Sequence, residues 1–407
     1  MSLPTLDRLK ENKSLPALRL IREAVEARPK ELDQARAEGR KVVGFQGYNV
    51  PEEILHALGL IPVRLGTGGD TRLVEIGSRY ISTKNCVFVR QTVGLFAENR
   101  DPYVLAADIL VLDATCLQTY RTAEALQYFF KREVLILGVP RNFYWESALV
   151  YFAHEVENLV NKLEVVTGKR LEPKALEASL ALYDAIREAI VELYRYQAVK
   201  DPIISWEEVT SVIHAGYYLD REKYSGLLRI LLAELVAAQG PAVVGIRDGE
   251  ARLFLSGSLI APGDHKLVDI IREVGGRIVG DDLWSGLIPF LEVEVKEPTV
   301  EGVARAYLNR TPHGALPYLD LESDRRLKRL RELITEFKAQ GVIYHSLRFC
   351  DPYTFKAKET KDVLAKVNVP FLEIHTEYAT SDLEAVRTRV ETFVEMIKLN
   401  SAVGVSA

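Results

Sequence analysis

The stretch "GVIYHSLRFCDPYTF" (residues 341–355) runs from a β-branched and aromatic segment through a polar turn into a helical pattern, with His345, Arg348 and Cys350 around the turn. A short apolar run, a turn and then a helix make one unit of a parallel sheet covered on both faces, because strands of such a sheet are buried on both sides. The same unit recurs along the chain. In the first part it reads "VVGF" (42–45), a helix opened by Pro51 in "VPEEILHALGL", "IPVRL" (61–65), "ADILVLD" (107–113) and "EVLILGV" (133–139). Later it reads "AVVGI" (242–246), "RLFLSG" (252–257), "RIVGDD" (277–282), "VIYH" (342–345) and "PFLEIHT" (370–376), with helical patterns between them.

A chain of 407 residues exceeds what one ordinary core supports, so two such sheets are expected. The expected class is α/β, with two open parallel-sheet domains of Rossmann or flavodoxin type. Residues 1–39 read as an N-terminal helical arm in two pieces, with Leu15, Leu18, Ile21 and Val25 on one face and Pro29 opening the second piece. The first α/β domain is then expected over 40–145, a helical connector over 146–238, and the second α/β domain over 239–407.

Composition excludes several classes of function. The formal net charge is -5 and no Lys/Arg-rich run is present, which argues against a nucleic-acid partner. No apolar run approaches the ~20 residues of a membrane span. The N-terminal segment carries acidic residues and lacks a continuous apolar core, so a cytoplasmic location is expected.

The three cysteines, Cys86, Cys116 and Cys350, form no C-x-x-C pair. Cys116 follows "ILVLD", and Cys350 follows "GVIY" on what reads as a loop shared with His345 and Arg348. Cys86 lies in "STKNCVFVRQTVGLF" (82–96), where Ser82, Thr83 and Asn85 are candidate helix N-caps. In open α/β sheets ligands sit beyond the carboxyl ends of the strands. A single free cysteine is most often a small buried apolar residue. Three of them at strand ends and helix starts, drawn from both halves, point instead to one soft-metal centre. Three thiolates suit an iron–sulfur cluster with one open iron better than structural zinc, which takes four protein ligands.

Seven segments then carry a resemblance in order: "GYNVPEEILHALGLIPVRL", "NCVFVRQTVGL", "ADILVLDATCLQTYR", "LFLSGSLI", "EVGGRIVGDDLWSG", "GVIYHSLRFCDPY" and "TRVETFVEMI". The chain resembles the catalytic subunits of 2-hydroxyacyl-CoA dehydratases and class I benzoyl-CoA reductases. That resemblance implies a [4Fe-4S] cluster held between two lobes by Cys86, Cys116 and Cys350. It also implies electrons supplied by a separate ATP-hydrolysing iron–sulfur activator, and no phosphate-cradling G-x-x-x-x-G-K-[ST] loop is present in this chain.

Within the superfamily, a third group, the double-cubane cluster proteins, is a homodimer with two three-cysteine cubanes joined by a sulfide. The loops "FQGYNVP" and "RLGTGGDTRL" show no dedicated hydroxyl and acid for acyl-CoA dehydration. The leading expectation is therefore an ATP-dependent reductase of a small substrate with a double cubane and a homodimeric assembly. The alternative is a dehydratase or benzoyl-CoA reductase subunit paired with an unlike subunit. A non-catalytic two-lobed small-molecule binding protein is the third reading.

Further candidates cluster near these motifs. Arg90 and Gln91, one helical turn beyond Cys86, are expected to face the cluster, or in the case of Arg90 to join a surface ion pair. His345 and Arg348 are candidates for proton supply, with His345 as a structural residue the alternative. Glu52, beside Tyr48 and Asn49, is either substrate-facing or a simple complement to a helix N-terminus. Asp113 either supports the neighbouring thiol or caps the following helix.

Overall fold

The structure is a computed structural model that describes residues 9, 12–314, 316 and 324–402. Two four-stranded sheets, all parallel, dominate it. In the first, β1 (Val42–Gln46) lies between β2 (Ile61–Arg64) and β3 (Ile109–Asp113), and β4 (Val134–Leu137) flanks β3. In the second, β5 (Ala251–Gly257) lies between β6 (Gly276–Asp281) and β7 (Gly341–Leu347), and β8 (Phe371–Thr376) flanks β7. The two sheets thus share one strand order, with β1 paired to β3 through Gly44 and Leu110 and β5 paired to β7 through Leu255 and Ile343.

Every residue of β2, β3, β5 and β7 is buried, as continuous apolar strands of a two-faced sheet require. The first sheet carries α2 (Glu52–Ala57), α3 (Thr71–Gly77), α4 (Val87–Glu98), α5 (Pro102–Ala106) and α6 (Leu117–Phe130). Four helices follow without a strand: α7 (Glu146–Thr167), α8 (Pro173–Gln197), α9 (Trp206–Gly216) and α10 (Arg221–Gln239). The second sheet carries α11 (Lys266–Glu273), α13 (Arg325–Glu336), α14 (Asp351–Ala365) and α15 (Leu383–Ala402), whereas α12 (Val300–Asn309) returns to pack with α7 in the core of the first sheet.

Buried polar contacts tie two of these helices, α8 and α9, to both halves of the molecule. The Tyr194 hydroxyl and the Trp206 indole N–H donate to Asp281 at the end of β6, at 2.6 and 2.8 Å. On the other side, the Ser179 hydroxyl donates to the Glu53 carbonyl at 2.9 Å, and the Arg64 N–H donates to the Tyr217 carbonyl at 2.9 Å. Such satisfied groups fix the position of the sheets, because an unpaired buried polar group is costly.

Two local expectations are corrected. The N-terminal region forms one helix, α1 (Pro16–Ala37), that passes through Pro29. Proline removes one hydrogen bond to the carbonyl four residues earlier. Here that carbonyl, of Val25, accepts from the Tyr103 hydroxyl at 3.4 Å, and Tyr103 is itself stacked on Tyr218. Residues 1–8, part of the expected arm, lie outside the described residues. The run "AVVGI" is not a strand, and Val244 makes only an isolated bridge with Val199. Side chains satisfy its backbone instead: Lys338 donates to the Val244 carbonyl at 2.9 Å and the buried Arg252 guanidinium to the Gly245 carbonyl at 2.7 Å.

Candidate functional site

The carboxyl ends of the two sheets face each other, and the loops beyond them meet. The loop after β2 packs on the loop after β5. The Gly68 N–H donates to the Pro262 carbonyl at 2.8 Å, and a β-carbon on Gly69 would lie 2.2 Å from the Gly263 carbonyl oxygen. Gly69 also has φ +80°, so the "GTGG" run serves close backbone approach between the lobes.

All three cysteines end a loop at this junction. Cys86, Cys116 and Cys350 are the N-cap residues of α4, α6 and α14. Because β3 and β7 hold equivalent places in the two strand orders, Cys116 and Cys350 occupy matching positions in the two sheets. The expected caps Ser82, Thr83 and Asn85 do not cap α4, since the helix begins one residue past Cys86. Asn85 instead links the two thiol-bearing helices, accepting from Arg121 on α6 at 3.0 Å while its carbonyl accepts from Arg90 at 3.1 Å. Phe349 adopts a left-handed φ of +64° immediately before Cys350. That conformation is uncommon outside glycine and is held where the surroundings demand it.

The structure brings the thiols of Cys86 and Cys350 together from opposite lobes. The Cys350 thiol donating to the Cys86 sulfur lowers the pKa of Cys86 despite burial, with help from the N–H groups of Phe88 and Val89 and the charge of Arg90. The same hydrogen bond, then burial and the negative charge of Cys86 and Cys116, pushes Cys350 well up. Burial also raises Cys116, against hydrogen bonds from Thr119 and the helix N-terminus. The three sulfurs therefore sense one another's charge, and a cationic centre among them would relieve that repulsion. Leu259, Ala261, Leu347 and Tyr378 pack around Cys86 and Cys350, with Phe88 and Trp284 alongside, so the thiols sit in apolar surroundings.

The donor set fits an iron–sulfur cluster: sulfur ligands only, from both lobes, with Cys86 buried and Cys116 and Cys350 half-buried. Arg90 adds to this fit. Its guanidinium is buried next to Cys86, and one terminal nitrogen makes no hydrogen bond among the described residues, its carboxylate neighbour Glu377 standing 3.9 Å away. Among the described residues no three His, Cys, Asp or Glu side chains converge as a single-ion site. A multinuclear cluster does not require such convergence, because each thiolate binds a different iron.

Other candidates have different surroundings. Gln91 donates to the Thr67 hydroxyl at 3.0 Å and accepts from the Asp70 N–H at 3.0 Å, so its amide holds the glycine loop rather than a sulfur. His345 lies within β7, not on the loop with Cys350. Its ring is fully buried, contacts the Thr376 hydroxyl at 2.7 Å, and is kept neutral by burial to a pKa of about 3. Arg348 is exposed and pairs with Glu377 at 3.2 Å. Glu52 pairs with Arg221 at 3.4 Å and lines a separate cavity. Asp113 caps no helix; it accepts the N–H groups of Tyr48 and Asn49 and so fixes the loop after β1.

Trp284, His313 and Tyr353 were not among the sequence candidates. Trp284 stands edge-on to Phe88, and His313 lies between Trp284 and Tyr353, with ring centres 5.6 and 6.0 Å away. They come from three separate segments, and an aromatic residue in isolation signals only a core.

The family described as 2-hydroxyglutaryl-CoA dehydratase, D-component, matches residues 47–397. Similar proteins include one of the subunits of the benzoyl-CoA reductase of Thauera aromatica, 26% identical over 363 residues that cover 88% of this chain and 92% of the relative. The beta subunit of lactoyl-CoA dehydratase of Anaerotignum propionicum is 26% identical, with 92% of this chain and 96% of the relative covered. The beta subunit of (R)-2-hydroxyglutaryl-CoA dehydratase of Acidaminococcus fermentans is 24% identical over 92% of this chain and 97% of the relative. With all three cysteines and every strand but β1 inside the matched span, the chain belongs to the 2-hydroxyglutaryl-CoA dehydratase D-component family.

Proposed function

We propose that this chain is the cluster-bearing subunit of an enzyme that acts on an acyl-CoA thioester, of the dehydratase or benzoyl-CoA reductase kind. The observation that carries the reading is the meeting of Cys86 and Cys350 from opposite lobes, with Cys116 within reach of their charge. Cys86, Cys116 and Cys350 would hold an iron–sulfur cluster of [4Fe-4S] type. Such a cluster supplies single electrons at low potential.

The chain's own residues set the conditions. Arg90 offsets negative charge beside Cys86, and its terminal nitrogen, 3.9 Å from Glu377 and without a hydrogen bond among the described residues, would donate to a sulfur. Phe88, Trp284 and Tyr378 pack apolar surface around Cys86 and Cys350 and limit the access of water to them. Asp113 pins Tyr48 and Asn49, so the loop after β1 presents a fixed edge toward the junction. Gln91 and Gly69 hold the second loop against the other lobe.

Electrons are proposed to come from a separate ATP-hydrolysing activator, and a second, unlike subunit to complete the site. Leu117, next to Cys116, is 72% exposed, and Phe355, one turn into α14 from Cys350, is 78% exposed, so apolar surface flanks two of the thiols. The relatives are named as subunits of acyl-CoA dehydratases and of a benzoyl-CoA reductase, which favours this reading over a homodimeric reductase with linked cubanes.

The test is anaerobic. The purified chain, reduced by a low-potential donor and combined with an unlike homologous subunit, is mixed in separate assays with a 2-hydroxyacyl-CoA and with an aromatic acyl-CoA. Dehydration or ring reduction that needs this chain supports the reading. A colourless chain without iron or sulfide contradicts it.

A further inference from the structure

Away from the thiols, beside the loop after β1, the first sheet, α8, the α9–α10 turn and α12 enclose a cavity of about 60 Å³. That is room for a few waters or one small oxyanion. Four arginines line it, Arg64, Arg187, Arg221 and Arg310, and each is buried.

The charges inside do not balance. Arg187 pairs with the buried Glu53, and Arg221 with Glu52. Arg64 and Arg310 have no carboxylate partner among the described residues. Arg64 donates to the Gly47 carbonyl at 3.1 Å and lies 4.7 Å from the Tyr217 ring centre, while Arg310 donates to the Tyr48 carbonyl and lies 3.7 Å from the Tyr48 ring centre. Carbonyl dipoles and ring faces lessen the cost of a buried cation but do not neutralise it.

Donors are also left over. The Nε of Arg221, the Nε of Arg310 and the hydroxyl of Tyr183 are buried without a hydrogen bond among the described residues, and the Arg221 terminal nitrogen that faces Glu52 stands 3.4 Å from its carboxylate. Burial holds the Tyr183 hydroxyl well above its ordinary pKa, so it keeps its proton as a donor. Unsatisfied buried donors are rare in folded proteins and call for a partner. Here they line one cavity together with two uncompensated guanidiniums.

We propose that this cavity is a binding site for a small doubly charged oxyanion, held by Arg221, Arg310 and the Tyr183 hydroxyl. Two excess cations match a dianion, and guanidinium forks suit phosphate or carboxylate geometry. The anion is either free or the end group of a longer ligand entering past Glu52 and Phe290, which are half-buried lining residues. The site does not depend on the cluster assignment, since none of its lining residues belongs to the apolar shell around the thiols.

Inorganic phosphate is the probe, titrated into the whole protein by calorimetry and by thermal unfolding, with chloride at equal ionic strength as the control. Saturable phosphate binding that chloride does not reproduce is expected. Tyr183→Phe removes only a hydroxyl that has no hydrogen-bond partner among the described residues, so it should fold normally and bind about tenfold more weakly, while Arg221→Gln should lose more. Absence of binding in a normally folded protein overturns the proposal, as does binding that both variants leave unchanged or that chloride matches. Competition between phosphate and the acyl-CoA substrate would assign the anion to the end of that substrate; phosphate bound alongside the substrate would assign it to a free oxyanion.

Discussion

The carboxylate of Asp113, at the end of β3, accepts the backbone N–H groups of both Tyr48 and Asn49, at 2.8 and 2.7 Å, and the Asn49 side-chain amide at 3.1 Å. Burial raises its pKa, while those donors act to lower it. Asp113→Ala leaves two backbone donors buried without an acceptor, a loss of roughly 2–4 kcal/mol in urea unfolding. Asp113→Asn keeps an acceptor and should lose less. Equal losses for the two variants would show that the acceptor is not what holds the loop.

Gly69 is expected to tolerate no side chain. Its φ of +80° and the Gly263 carbonyl 2.2 Å from a would-be β-carbon make Gly69→Ala a change that parts the two lobes or strains the loop. A loss of about 1–3 kcal/mol is predicted, along with weaker retention of iron in the folded variant. Wild-type stability and iron content in that variant would show that the loops do not set the lobe spacing.

His345 gives a pH dependence of known sign. Its folded-state pKa of about 3 lies below the unfolded value, so it contributes stability above about pH 6.5 that is lost as pH falls toward 3. Between pH 7 and 5 the wild type should lose about 2 kcal/mol more than His345→Gln. A resonance titrating near neutrality in the folded wild type and absent from His345→Gln would contradict the buried, neutral ring.

Asp264 acts in the opposite sense. Burial, only partly offset by Lys266, pushes its pKa up to about 7, so its contribution to stability is present below the unfolded pKa and is lost as pH rises through 7. Asp264→Asn should gain roughly 2–3 kcal/mol on the wild type between pH 5 and 8. Parallel pH profiles for the two proteins would place the carboxylate in a wetter setting.

Much of the fold was legible because the strands are continuous apolar runs. "ILVLD" and "GVIY" carry their signal locally, and the helices after them start where the cysteines stand. "AVVGI" misled because a β-branched run says nothing of Lys338 and Arg252, which claim its carbonyls from afar. Pro29 misled because the Tyr103 hydroxyl that covers the Val25 carbonyl lies 78 residues away in sequence.

The site divides in the same way. Cysteine is scarce in this chain, so three at loop–helix junctions stand out without any contact information. Arg64, Arg187, Arg221 and Arg310 are ordinary residues on a charged chain, and only the fold gathers them around one cavity. Gln91 sits one turn from Cys86, yet its amide turns toward Thr67 and Asp70, a choice that spacing along a helix does not encode.

The central claim is that thiols from both lobes hold one cluster. The direct measurement is iron and acid-labile sulfide per chain after anaerobic purification, for the wild type and for Cys350→Ser, with circular dichroism confirming that both are folded. The account predicts about four irons per wild-type chain, as a [4Fe-4S] cluster requires, and near-complete loss in the variant. Iron retained at the wild-type level in folded Cys350→Ser would contradict it.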